Sequence, residues 1–293
     1  MDKRGSGIMA RSEWEVRKEN QLFDFLVQYS GKNKKIIKAD LAAGLVLVND
    51  KPQRKANTVL QSGDIVRLLE KPASSGLPFE ILYEDEDLLA INKPSGLLSI
   101  SAGLEKEKTA YHMVRAYLRN KNPQAMVFVV HRLDRDTSGV LLFAKNETIK
   151  MKLQENWNSL VKERGYIALA EGVFVKDQGT LKNYLSETKT QQVYISNEKS
   201  GKLAITHYRV LKRYKAHTLL EIFLDTGRKN QIRVQLAGIS HPLVGDSKYN
   251  LMSRYRCRLC LHAHRLSFLD PRSHQLLKIE ADAPDFYGYI VRK

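Results

Sequence analysis

Acidic residues are scarce in this 293-residue chain: 32 Asp and Glu face 48 Lys and Arg, a formal net charge of +16. That imbalance excludes a polycation-binding role and makes a polyanion the leading partner, because lysines and arginines that neutralise phosphates release counterions. Only two cysteines are present, Cys257 and Cys260, too few for a disulfide framework. No apolar run approaches the roughly 20 residues that cross a bilayer. The opening residues Met1-Asp2-Lys3-Arg4-Gly5-Ser6-Gly7 lack the apolar core of a signal peptide, so a cytoplasmic, membrane-free protein is expected. A glycine-rich phosphate loop, an internal repeat and low-complexity tracts are also missing, which removes the nucleotide-loop and solenoid classes.

The apolar pattern divides the chain. Residues 1–19 are mixed in charge and weakly periodic and read as a lead-in. Leu22, Phe23, Leu26 and Val27 follow helical spacing, as do Ile36, Ile37 and Leu41 before Gly44, a C-cap. Leu45 to Val48 reads as a strand, Asn49-Asp50 as a tight turn, and Ile65 to Leu69 as a strand entered through Ser62-Gly63-Asp64. On this small αα-ββ unit, Lys34, Lys35 and Lys38, with Lys32, gather at the second helix, and Lys51, Arg54 and Lys55 follow the turn. They form a basic face for a phosphate backbone, or merely a solvated surface. A proline-bounded, small-residue stretch near 72–78 reads as a linker. Beyond it strands dominate, with helices near Thr109 to Leu118 and Thr148 to Val161. That is an α+β pattern without the regular alternation of a doubly wound sheet.

Two charged inserts interrupt apolar strands. His131-Arg132-Leu133-Asp134-Arg135-Asp136-Thr137-Ser138-Gly139 lies between Met126 to Val130 and Val140 to Ala144, both β-branched-rich and continuous, as strands buried on two faces are. The insert is either a rigidly held catalytic loop or a solvated hairpin turn. Downstream, the strand Leu219 to Leu224 runs into Asp225-Thr226-Gly227-Arg228-Lys229-Asn230-Gln231-Ile232-Arg233, where a helix is expected to start. Asp225 or Thr226 would cap it, and Arg228 and Arg233 would approach a carboxylate or phosphate. Read alone, this is also an ordinary strand-to-helix turn.

Taken together, these segments resemble the RluA-type family of RNA pseudouridine synthases. The ordered set includes Tyr83-Glu84-Asp85-Glu86-Asp87, Asn92-Lys93-Pro94-Ser95-Gly96, His131-Arg132-Leu133-Asp134 with Thr137-Ser138-Gly139, and Tyr166-Ile167-Ala168-Leu169 to Gly172. Gly227-Arg228 with Gln231-Ile232-Arg233, His241-Pro242-Leu243-Val244-Gly245-Asp246 and Leu261-His262-Ala263 follow in order. The N-terminal unit resembles the RNA-binding module named after small ribosomal subunit protein four. The resemblance implies a mixed, mainly antiparallel catalytic sheet over residues 79–293, a small α/β RNA-binding module over 20–71, and a linker over 72–78. It implies Asp134 as the catalytic aspartate, kept ionised by the Arg233 guanidinium, and Tyr166 stacking on the base and moving a proton. Ile232 would pack on the uracil's other face, Arg132 would hold the flipped nucleotide, Arg228 would contact substrate, and His131 would shape the loop. No metal or organic cofactor is implied. The expected substrate is 23S ribosomal RNA or an assembling large subunit, with transfer RNA as the alternative and a monomer as the working form.

Three features compete. Cys257, Cys260, His262 and His264 have partial zinc-site spacing, though one tight cluster cannot easily supply four tetrahedral ligands. Alternating Arg254, Arg256 and Arg258 would line one face of a strand, as an RNA track or as edge protection. Asn230 and Gln235 stand where many relatives of the resembled family carry histidine. A noncatalytic RNA-binding factor and a Mg²⁺-dependent nuclease are the rival functional classes.

Overall fold

The computed structural model describes residues 10–42, 44–69, 77–101 and 108–291. Two compact units meet in sequence between Gly76 and Leu77. The first contains β1 (Ala10–Glu15), β2 (Asn20–Gln21), α1 (Leu22–Tyr29), α2 (Lys34–Ala42), β3 (Val46–Val48), β4 (Lys51–Pro52), β5 (Val59–Leu60) and β6 (Ile65–Leu69). Its main sheet runs β1-β6-β3-β4, and Leu22, Phe25 and Leu26 of α1 pack with Ile37 and Leu41 of α2 on Val46 and Val66. Asn49 and Asp50, both at positive φ, make the tight turn between β3 and β4.

The lead-in expected over residues 1–19 requires correction. Residues 1–9 lie outside the described residues, but β1 pairs antiparallel with β6, and Val16 is buried in the unit's core. Trp14 and Val16 face inward while Glu13 and Glu15 stay exposed, an alternation that the dense charge conceals. Residues 72–76 of the expected linker are also outside the described residues.

The second unit contains β7 (Ile81–Glu84), β8 (Leu88–Lys93), α3 (Ala110–Lys121), β9 (Phe128–Val129), β10 (Ser138–Ala144), α4 (Glu147–Glu155), α5 (Trp157–Leu160), β11 (Val161–Glu171), β12 (Gln178–Glu187) and β13 (Val193–Ser196). It continues with β14 (Lys202–Arg213), β15 (His217–Leu224), α6 (Gln231–Gly238), β16 (Leu261–Leu269), β17 (Leu276–Glu280) and α7 (Gly288–Val291). One sheet runs β13-β12-β14-β15-β11-β16-β10-β8-β7, with β17 on β16 and β9 on β10. Every described pairing in it is antiparallel except β10 with β16. This is the mixed, mainly antiparallel α+β sheet expected from the sequence.

All seven residues of β10 are buried, which explains its unbroken apolar run. Val140 and Leu142 pack toward Ile149 and Leu153 of α4, whereas Leu141 and Phe143 pack toward Ala110, Val114 and Leu118 of α3. Thr109 caps α3 by accepting the His112 N–H, and Asn146 caps α4 by accepting the Ile149 N–H. The helix expected over Thr148 to Val161 breaks at Asn156, whose backbone leaves the helical region. The strand expected over Met126 to Val130 shortens to β9, because the chain then turns into the charged loop.

The parallel β10–β16 contact places that loop beside the centre of the sheet. Gly139 makes it possible: its φ is +113°, and a Cβ there would lie 2.1 Å from the Ala263 carbonyl oxygen. Gly139→Ala is therefore expected to lower the unfolding free energy by at least about 2 kcal/mol. Urea unfolding followed by circular dichroism checks this, and an unchanged midpoint would contradict the close-approach argument.

Candidate active site

Segments far apart in sequence line one cavity of about 320 Å³, three of them supplying most of the polar groups, with Gln154, Trp157 and Leu261 completing the wall. The loop after β9 contributes His131, Arg132 and Asp134, β11 contributes Arg164 and Tyr166, and the β15–α6 turn with the start of α6 contributes Gly227, Arg228, Ile232 and Arg233. The sequence-selected residues Asp134, Tyr166, Arg233, Arg132, Ile232, Arg228 and His131 all reach this cavity. The basic residues Lys34, Lys35, Lys38, Lys51, Arg54 and Lys55 belong to the N-terminal unit, where all are exposed. Arg54 Nη1 donates to the Ala42 carbonyl at 3.4 Å, which ties the segment after β4 to the end of α2. Lys32 is not free to join them, since its Nζ pairs with the buried Asp40 at 2.6 Å.

The loop is held from below by residues 93–99. Lys93, fully buried, donates from Nζ to the carbonyls of Pro94 at 3.0 Å, Leu97 at 2.7 Å and Arg135 at 2.9 Å. Ser95 Oγ donates to the Asp136 carbonyl at 2.7 Å. Ser99 Oγ both donates to the Leu133 carbonyl and accepts the Leu133 N–H. Burial pushes the Lys93 ammonium down to about 7, against the opposing fields of Asp136 and Asp134. The sequence motif Asn92-Lys93-Pro94-Ser95-Gly96 assigns Lys93 no role; the available signal is a lysine at the end of the apolar run Leu88 to Ile91, just before Pro94.

Burial also raises the Asp134 carboxyl above its ordinary range, opposed by Arg233, Arg132, Lys93 and Lys229. The expected guanidinium, Arg233, is the largest field lowering the carboxyl, but it does not outweigh burial. Arg233 directs its hydrogen bonds to Asp246, with Nε to Oδ2 at 2.8 Å and Nη2 to Oδ1 at 2.7 Å, and from Nη1 to Asn230 Oδ1 at 3.4 Å. It acts on Asp134 only through space. Asp246 also accepts the N–H groups of Lys248 and Tyr249, and it is the partner that the sequence reading missed.

Tyr166 lies in β11 opposite Ile222 and Ala263, and burial pushes its phenol up to about 12, so it is protonated near neutrality. His131 is a loop anchor rather than a free substrate contact: its Nε2 accepts the Leu142 N–H at 3.1 Å, and its ring lies against Trp157. Arg132 is exposed and makes no hydrogen bond or ion pair among the described residues, so it can meet a ligand. Arg164 was not selected from sequence, yet its Nη2 donates to the carbonyls of Leu224 and Asp225, joining β11 to the third segment.

The helix expected from Asp225 or Thr226 begins later. Asn230 adopts a left-handed conformation with φ 53°, and α6 starts at Gln231 without a side-chain cap. Thr226 Oγ1 instead donates to Gln231 Oε1 at 2.8 Å, and Asp225 pairs with His207. Asn230 donates to the Tyr249 hydroxyl, while Gln235 accepts from Thr206 and donates to Asn183 and Ala204. Both are therefore internal ties.

The arginine strand also fails. Residues 253–259 are loop, and Arg258 turns inward to donate to Ser138 Oγ and lie over Phe286. His262 bridges Ser138 Oγ and the Ala281 carbonyl, His264 lies beside Glu221, and Cys260 faces the Arg258 carbonyl. Among the described residues, no three His, Cys, Asp or Glu side chains gather as a metal site.

A pocket with one carboxylate, one protonated phenol, an apolar wall and several cations suits a neutral base on an anionic backbone. The chain belongs to the RNA pseudouridylate synthase family, whose model matches residues 87–238. It is an RNA-modifying isomerase that converts uridine to pseudouridine. It is 34% identical over 268 residues to ribosomal large subunit pseudouridine synthase D of Xylella fastidiosa, covering 84% of this chain and 80% of that protein. It is 31% identical to an uncharacterized RNA pseudouridine synthase of Aquifex aeolicus, covering 95% of each chain. The solved structure of human RNA pseudouridylate synthase domain containing 4 shares the fold, with a TM-score of 0.59 at 23% identity over 71% of this chain and 90% of that one.

Two measurements follow from the buried groups. Burial pushes His131 and His262 each down to about 4, below the ordinary 6.5 of the unfolded chain. The unfolded chain then binds more protons between those values, so stability is complete above pH 6.5 and is lost as pH falls toward 4. Each imidazole contributes up to about 1.4 kcal/mol per pH unit in that window. Urea titrations at pH 7.5 and 5 check this, and equal stabilities would contradict it. Lys93→Met leaves three carbonyls without their donor and should lower kcat by about 10- to 100-fold through loop misplacement. Unchanged turnover would show that the ammonium is not what positions the loop.

Proposed function

We propose that this chain is an RluA-type synthase acting on large-subunit ribosomal RNA in the cytoplasm, with Asp134 as the carboxylate that drives the reaction. The observation that carries this reading is the convergence of Asp134, Tyr166, Ile232 and Arg233 on one cavity from three separate segments. The order of sequence motifs supports the type, and the name of the Xylella relative supports the substrate class. The N-terminal unit is read as an RNA-binding module like that of small ribosomal subunit protein four, with its exposed lysines and Arg54 on the phosphate backbone.

The isomerisation balances without an oxidant. The bond from N1 to the ribose C1′ breaks, a bond from C5 to C1′ forms, N1 gains a proton, and the hydrogen on C5 leaves as a proton. Asp134 acts at the sugar once ionised, and the raised carboxyl makes that ionisation sensitive to the surrounding cations. Tyr166 stacks on the uracil and relays the C5 proton through its hydroxyl, passing its own proton to water as the oxygen takes the one from C5; Ile232 packs on the other face. Arg132 and Arg228 hold the extruded nucleotide, whose removal from the stack costs a few kcal/mol. Arg233, held by Asp246, supplies fixed positive charge beside the reacting carboxylate.

Tritium release from 5-³H-uridine-labelled ribosomal and transfer RNA transcripts tests the reading. Wild type is expected to release tritium from the ribosomal transcript. Asp134→Asn should abolish release while RNA affinity stays within about threefold, since phosphate contacts dominate affinity. Equal loss of binding and turnover would contradict the assignment of Asp134, and release from transfer RNA alone would contradict the substrate class.

A further inference from the structure

A second cavity of about 380 Å³ adjoins the first and shares Gly227 and Arg228 with it. Its other walls come from β12, β13 and the start of β14, elements that contribute nothing to the first cavity. Leu185 and Val193 give it an apolar side, and Lys202, Arg228 and Lys229 give it positive charge. Its one carboxylate, Glu187, is already paired with Lys229. Arg228 Nε donates to the Leu203 carbonyl at 2.9 Å, which fixes the arm at the junction of the two cavities. Its terminal nitrogens make no hydrogen bond among the described residues, and exposed Lys202 makes neither a side-chain hydrogen bond nor an ion pair there. At Gly227 a Cβ would lie 2.8 Å from Arg164 Nη1, the far end of an arginine side chain that lines the first cavity.

We propose that this second cavity seats the nucleotide next to the target uridine, with its phosphate on Arg228 and Lys202 and its base against Leu185 and Val193. A phosphate needs unpaired cations and a base needs an apolar platform, and both occur here within reach of the first cavity. The field of Lys229 extends to Asp134, which agrees with the closeness of the two seats. The assignment rests on the proposed reading of the first cavity as the uridine site.

The test is filter binding of the full chain to a 5-³H-uridine-labelled ribosomal RNA transcript at several salt concentrations, with tritium release measured on the same samples. Lys202→Glu is expected to weaken Kd by about five- to tenfold and to lower the salt slope by about one. Lys278→Glu, an exposed change on β17 outside both cavities, controls for net charge and should stay within about twofold of wild type. Equal effects of the two charge reversals would overturn the subsite. Tritium release reports separately on the functional reading: binding by wild type without release would sink that reading, while the Kd ratio would still decide the subsite.

Discussion

The site depends on one ammonium group kept away from water. Lys93 ends a strand that is buried along most of its length, and its Nζ finds three carbonyl oxygens, one of them on the loop that carries Asp134. Burying a cation without such partners would be prohibitive. The lysine and the loop therefore order each other. Gly139 completes the arrangement by letting β10 run against β16, and His131 closes the loop's other end on the Leu142 N–H. The loop is held at both ends and from beneath, so its carboxylate can stay placed while an RNA chain binds.

Charge in this pocket is balanced rather than neutralised. Arg233 and Asp246 satisfy each other through two hydrogen bonds, which holds the guanidinium still but withholds it from direct contact with Asp134. Burial then raises the carboxyl while four cations pull it down. A phosphate chain seated at this cavity, as proposed, competes for the same cations. On the proposed reading, Arg132, which makes no ion pair among the described residues, links substrate binding to the ionisation of Asp134.

Much of this was legible in the sequence for identifiable reasons. The apolar run of β10 declared a strand buried on both faces, and the charged inserts stood out because they interrupted such runs. Family order brought Asp134, Tyr166, Ile232 and Arg233 together, and the structure places all four in one cavity. What stayed hidden was whatever depends on distant partners. The strand Ala10–Glu15 was masked by its charge, and its pairing with β6 supplies what local pattern lacked. The inward turn of Arg258 follows from Ser138 and Phe286, residues remote in sequence. The late start of α6 follows from Gln231 folding its side chain back onto Thr226 and the Arg228 N–H.

The most direct test of the account is the pH dependence of single-turnover tritium release over the acid range in which the chain stays folded. On the proposed reading Asp134 acts in its ionised form, so the rate should fall as pH drops through a single limb with its midpoint above the ordinary carboxylate value of 3.8. Arg233→Gln should move that limb to still higher pH, because it removes the largest opposing field. A limb at or below the ordinary value, or one that Arg233→Gln leaves in place, would contradict the claim that a partly buried Asp134, tuned by its fixed cations, carries the reaction.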